Sequence, residues 1–135
     1  MKHPIFIFFF FAFFTANILA QSKTYSLTEV DKAPVISKCT DSLNSKDCFI
    51  EKLKHHINRN IDIMKLVKKK NLPGKAYVQF VINETGEVKQ VKVRTRNKYL
   101  EKEALRLFDE LNIKQPATKN SENVSLKHTI PITFN

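Results

Sequence analysis

The strongest constraint on the fold is the strand periodicity of residues 76–95. Ala76, Val78, Phe80 and Ile82 alternate with Tyr77, Gln79 and Val81, the period-two pattern that commits a segment to a sheet. Asn83-Glu84-Thr85-Gly86 interrupts it with a turn in which the glycine suits a positive φ. The return segment from Glu87 to Thr95 places Val91 and Val93 inward, while Val88 falls out of phase and predicts a bulge or a frayed start there.

The segments around this hairpin read as helices and one further strand. From Cys48 the apolar residues Ile50, Leu53, Ile57 and Ile61 recur at helical spacing, with Asp47 as the expected N-cap. Asp62 is expected to start a second short turn of helix that buries Ile63, Leu66 and Val67, and Asn71-Leu72-Pro73-Gly74 to end it. After Asn97, Leu100, Ala104, Leu107, Phe108 and Leu111 form one stripe, opposed by Glu101, Glu103, Arg106 and Glu110. Residues 114–123 read as a loop. The chain closes on a strand in which Val124, Leu126, His128, Ile130, Ile132 and Phe134 alternate with polar residues. Pro131 donates no ladder hydrogen bond, which assigns this strand to a sheet edge. The expected architecture is two-layer α+β, with helices on one face of a three-stranded antiparallel sheet.

The first twenty residues carry a different signal. Lys2 and His3 precede a ten-residue apolar run at 5–14, and Ile18-Leu19-Ala20 ends on a small residue. This is the pattern of a secretory leader cleaved between Ala20 and Gln21; the run is shorter than the roughly 20 residues a spanning helix needs. Expected organisation is therefore a signal peptide at 1–20, an extended arm at 21–47 and a domain at 48–135. Losing Lys2 with the leader takes the formal net charge from +10 to +9. Most of the phenylalanines leave with it, and the remainder keeps Phe49, Phe80, Phe108 and Phe134. In an oxidising compartment Cys39 and Cys48 read as a structural disulfide, because a redox pair normally encloses two residues and no further metal ligands lie nearby.

Catalytic and metal-binding patterns are missing from the sequence. His55 and His56 are adjacent, about 100° apart on a helix, and lack a partner four residues away; both read as solvated. His128 lies on the apolar face of the last strand and reads as a buried or half-buried imidazole. No G-x-S-x-G elbow occurs, and two glycines cannot build a phosphate-cradling loop. The reading is a non-enzyme without metal or cofactor. The basic balance carries no aromatic-interleaved nucleic-acid motif. It is the charge of a soluble surface or of one attracted to an anionic envelope surface or acidic segment, with Lys65, Lys68, Lys69, Lys70 and Lys75 as the candidate cations.

One family shares these landmarks in the same order. Asp31-Lys32-Ala33-Pro34-Val35, then Cys39, and Cys48-Phe49 opening a helix that reaches His56-Ile57, precede the segment from Gly74 to Ile82 and Gly86-Glu87-Val88. Leu100-Glu101-Lys102-Glu103-Ala104-Leu105-Arg106 and Thr129-Ile130-Pro131-Ile132-Thr133-Phe134 follow. From about Val30 onward the chain resembles the C-terminal domain of TonB-type energy transducers, in the variety with a cysteine pair before the first helix. It departs from that family at Ile61-Asp62-Ile63-Met64, where many relatives have an aromatic-proline pair, and at residues 119–123, where many have a glycine-and-basic segment. About ten residues between leader and domain reach roughly 35 Å, in place of the anchor and long proline-rich spacer of force-transmitting members.

The resemblance implies a periplasmic module that binds an extended segment of an envelope protein, such as the box peptide of a TonB-dependent outer-membrane receptor. The segment would add as a strand beside Val124, Ser125, Leu126, Lys127, His128, Thr129 and Ile130. The alternatives are a structural envelope protein, a homodimer formed through the same edge strand, and contact with a membrane surface through the lysines. Nucleic acid is not an expected partner.

Overall fold

The computed structural model describes residues 23–40, 43–62 and 74–134. The chain order is β1 (Thr24–Tyr25), α1 (Ser45–Asn60), β2 (Gly74–Ile82), β3 (Val88–Arg94), α2 (Lys98–Asp109), β4 (Ala117–Lys119) and β5 (Glu122–Phe134). The expected cleavage site at Ala20 and Gln21, the expected buried residues Ile63, Leu66 and Val67, and the candidate cations Lys65, Lys68, Lys69 and Lys70 lie outside the described residues.

The two-layer α+β reading holds. Ala76, Val78, Phe80 and Ile82 of β2 and Ile130, Ile132 and Phe134 of β5 form one buried cluster with the helices. Phe49, Leu53 and Ile57 of α1 and Leu100, Ala104, Leu107 and Phe108 of α2 supply the other wall. The Phe80 and Phe108 rings meet at 4.8 Å between centroids, the tilted close contact that aromatic pairs favour. Each fully buried side chain of this size stabilises the fold by roughly 1.5–3 kcal/mol relative to its exposed state.

The sheet has five strands rather than three, in the order β1-β5-β2-β3 with β4 also paired to β5. The three long strands are antiparallel as expected, and β2 pairs with β5 without interruption from Gly74↔Phe134 to Ile82↔Leu126. The two extra strands come from segments that carry no alternating pattern. Residues 114–123 contain β4, joined to β5 through Asn120 and Ser121, both at positive φ (51° and 64°), as a two-residue hairpin turn requires. The arm supplies β1, which runs parallel to β5. Their short length and irregular sequence hid them: only tertiary pairing selects these residues as strands.

Val88 keeps its inward contact because the irregularity sits two residues later. Gln79 pairs with Lys92 but Val81 pairs with Lys89, so β3 carries one extra residue there. Gln90 absorbs it at φ 51°, and Val88, Val91 and Val93 all pack against the core. At α1 the N-cap is Asn44, whose side chain accepts from the Asp47 amide at 2.9 Å, so the helix starts at Ser45. Asp47 instead contributes a negative charge in the first turn.

Two polar residues expected at the surface stitch the helices together. Glu103 is only 6% exposed and accepts from the Asp62 amide at 2.9 Å. His56 bonds through Nε2 to the Leu107 carbonyl at 2.7 Å, while His55 stays exposed. The Nε2–H tautomer is the one that donates to that carbonyl. Cys39 and Cys48 form the expected disulfide, with Cα atoms 6.0 Å apart.

Candidate edge-strand binding site

β5 is the strand on which the expected site lies, and its two flanks differ. One flank is covered by β2 along residues 126–134. On the other, Thr24 pairs with Ser125 and Tyr25 with Leu126, after which β1 ends. Val124 pairs with Ala117 of β4. Of the seven residues expected to receive a partner strand, Val124, Ser125 and Leu126 are therefore already paired within the chain. Lys127, His128, Thr129 and Ile130 have a strand on the β2 side alone among the described residues.

Covering by the arm also explains why Ser125, a polar member of the alternation, is only 2% exposed. Its hydroxyl reaches the Ile82 carbonyl at 3.5 Å, which satisfies the buried donor. A small second core of Val30, Ala117 and Leu126, with Tyr25, Leu27 and Val124 against it, holds the arm down. Asp31 and Lys32 amides donate to the Thr118 carbonyl at 2.9 and 3.1 Å, and Val35 donates to Gln115 at 2.9 Å. Lys23 and Lys119 flank the Tyr25 ring at 5.1 and 5.4 Å from its centroid. The Ser26 main-chain N–H, then its hydroxyl, hold the Glu29 carboxyl below the usual carboxylate range and close the turn that leads the arm away from β5.

Where arm and strand diverge they leave a groove of about 520 Å³, lined by Tyr25, Leu27 and Thr28 on one side and Lys127, His128 and Thr129 on the other. His128 faces inward and is half-buried, with its ring 6.2 Å from Phe49 and 6.0 Å from Phe80, both near edge-on. Burial pushes its imidazole below the ordinary value, so the ring is neutral near pH 7. Ile130 is part of the main core. The apolar residues Tyr25, Leu27 and Val30 within a polar arm are the sequence signal for the arm's seat here, too short a run to register as a strand or helix period.

The opposite edge of the sheet is β3. Its strand is broken by the Gln90 bulge and carries Lys89, Lys92 and Arg94, features that blunt an edge against pairing. A hollow of about 810 Å³ lies beside it, between Val88 and Val91 of β3 and Leu105, Phe108 and Leu111 on α2 and its C-terminal extension. Among the described residues no group of three or more His, Cys, Asp or Glu side chains is placed to hold a metal ion. Nor is any described helix long and apolar enough to cross a membrane.

A search of curated proteins finds no significant match to this chain. Among solved structures, the chain is similar to the NMR solution structure of the Helicobacter pylori TonB C-terminal domain, at 23% identity. That alignment covers 73% of this chain and 97% of the other, with a TM-score of 0.48. The profile of the Gram-negative bacterial TonB protein C-terminal family matches residues 65–135, more than half of the sequence. The chain belongs to that family, the TonB C-terminal domains.

Proposed function

We propose that this chain is a protein-binding module whose partner adds as an extended strand along the outer flank of β5, beside residues 127–130. Domains of this family are periplasmic protein-interaction domains of envelope transport, and the chain carries one. In this reading the leader at 1–20 is removed between Ala20 and Gln21, and the partner is an extended segment of an outer-membrane receptor. The observation that carries the proposal is the asymmetry of the sheet edges: among the described residues β5 is an unbulged strand with no strand on its outer flank beyond Leu126, whereas β3 is bulged and rich in basic residues.

The size of the window bounds the affinity. Each main-chain hydrogen bond adds about 0.5–1.5 kcal/mol net, so a four-residue pairing supplies roughly 2–6 kcal/mol. That corresponds to binding no tighter than tens of micromolar, and anything stronger must come from side chains entering the groove beside Tyr25 and His128. Pro131 limits extension past Ile130, and an edge proline also opposes the self-associating alternative.

Titrating the ¹⁵N-labelled protein with a receptor box peptide tests the idea. Shifts centred on Lys127, His128, Thr129 and Ile130 are expected, together with a loss of at least tenfold in affinity when alternate peptide amides are N-methylated. Equal binding by the methylated peptide would exclude backbone pairing, and shifts confined to β3 and α2 would move the site to the other edge.

A further inference from the structure

Among the described residues, the helices cover one face of the sheet and leave most of the other without a covering layer. The register lays out that bare face in rows: Lys89, Lys92 and Arg94 of β3 lie opposite Val81, Gln79 and Tyr77 of β2. On the far side of β2, Lys127 pairs with Val81, and Lys75 of β2 itself pairs with Thr133. Every charged side chain at these outward positions of the three long strands is a cation, namely Lys75, Lys89, Lys92, Arg94 and Lys127. All five are exposed, and only Lys89 has a carboxylate partner among the described residues, Glu87 at 3.1 Å.

At the centre of the patch stands Tyr77, 36% exposed, with the Lys75 ammonium and the Arg94 guanidinium each 5.1 Å from its ring centroid. Strands lie about 4.8 Å apart and alternate residues about 6.8 Å apart along each, so the charges spread over two dimensions. A single acidic chain lying along one strand would meet one row of them; a layer of anionic headgroups meets them all. The ring of Tyr77 between two cations is the amphipathic arrangement that sits at headgroup depth. Val81, the one aliphatic outward position on β2, is 6% exposed, so β2 offers no aliphatic side chain to insert into hydrocarbon.

We propose that the bare face of β2, β3 and β5 is a docking surface for an anionic phospholipid bilayer, held peripherally through these five cations and Tyr77. The inference is independent of strand addition at β5. It also uses other cations than the lysines at 65–70, with Lys75 as the sole shared candidate. Such contact adds roughly fivefold in partitioning per cation near the surface and fades as salt shortens the screening length.

The test is vesicle flotation of the full chain, with vesicles holding about 30% anionic phospholipid and with purely zwitterionic ones. Binding to the anionic vesicles alone, lost on raising salt from about 0.05 to 0.5 M, is expected. The double substitution Lys92→Gln/Arg94→Gln should lower partitioning by about 25-fold, and Lys92→Glu/Arg94→Glu by about 100-fold or more. Lys54→Glu/Arg59→Glu changes net charge equally on α1 and should cost no more than about threefold. Circular dichroism establishes that each variant is folded. Equal losses in the β3 and α1 variants would overturn the proposal, as would equal binding to zwitterionic vesicles. So would capture of a polyglutamate peptide by this face without any vesicle binding, which would reassign the face to an acidic protein partner.

Discussion

Arg106 of α2 donates from Nη2 to the main-chain carbonyl of Asn60 at 2.6 Å, and so caps the C-terminal end of α1 from a different helix. The same guanidinium bonds Glu103 through Nε at 3.1 Å and through Nη2, and Glu110 through Nη1 at 3.0 Å. Glu103 in turn accepts from Asp62, so one ion pair serves both an orphan carbonyl and an amide just past the helix end. Removing Arg106 takes away two hydrogen bonds and a charge partner from a nearly buried carboxylate. Arg106→Ala should therefore destabilise the protein by about 1–3 kcal/mol, the lower part of the range reflecting the exposure of the arginine. Urea unfolding followed by far-ultraviolet circular dichroism measures this, and an unchanged midpoint would show that solvent replaces the clamp.

Acidification should act through His128. Its folded-state affinity for a proton is lowered by burial against Phe49 and Phe80, so the unfolded chain binds the proton more readily. Stability is then complete above the unfolded value of about 6.5 and declines as pH falls from there through the lower folded value. The wild-type urea midpoint should drop between pH 7 and pH 5 more than that of His128→Gln. Parallel curves for the two proteins would remove His128 from the acid response.

The disulfide joins the arm to the first turn of α1, closing a loop between positions nine apart in sequence. Opening a loop of that size costs about 2–3 kcal/mol on the chain-entropy account. Reduction should lower the unfolding free energy by that amount, and Cys39→Ala/Cys48→Ala should match the reduced protein. Because Ala33 donates to the Ser45 hydroxyl at 3.1 Å, amide exchange along the arm should quicken in the same variant.

The β4–β5 turn offers a gain. Ser121 sits at φ 64°, a left-handed conformation that costs a side chain about 1 kcal/mol or more. Converting the turn to Asn-Gly by Ser121→Gly should stabilise by about 0.5–1 kcal/mol. A thermal melt that fails to rise would show that the Ser121 side chain contributes contacts outweighing the backbone strain.

Periodicity and turn chemistry made most of the scaffold legible. The β2–β3 hairpin, the helix after Asn97, the start of α1 to within three residues and the alternation of β5 follow from local patterns of burial. Gly86 at φ 85° is likewise a local requirement of its turn. The phase error at Val88 predicts a bulge or a frayed start there, whereas the extra residue lies at Gln90, because a phase error in a strand announces an irregularity without saying where it is inserted.

What the sequence determined by itself is therefore the layer design: which faces of which elements are apolar, and where the chain turns. Only the tertiary structure decided how much of β5 has a strand on both flanks among the described residues. β1 and β4 carry no alternating pattern, and two or three residues become strand only when a neighbouring strand offers its unpaired backbone groups. The same holds for Glu103, Arg106 and His56, polar residues that sequence assigns to water. Their placement depends on backbone donors and acceptors supplied by the other helix or the residues just past its end, up to 51 positions away, and no local pattern records a partner at that distance.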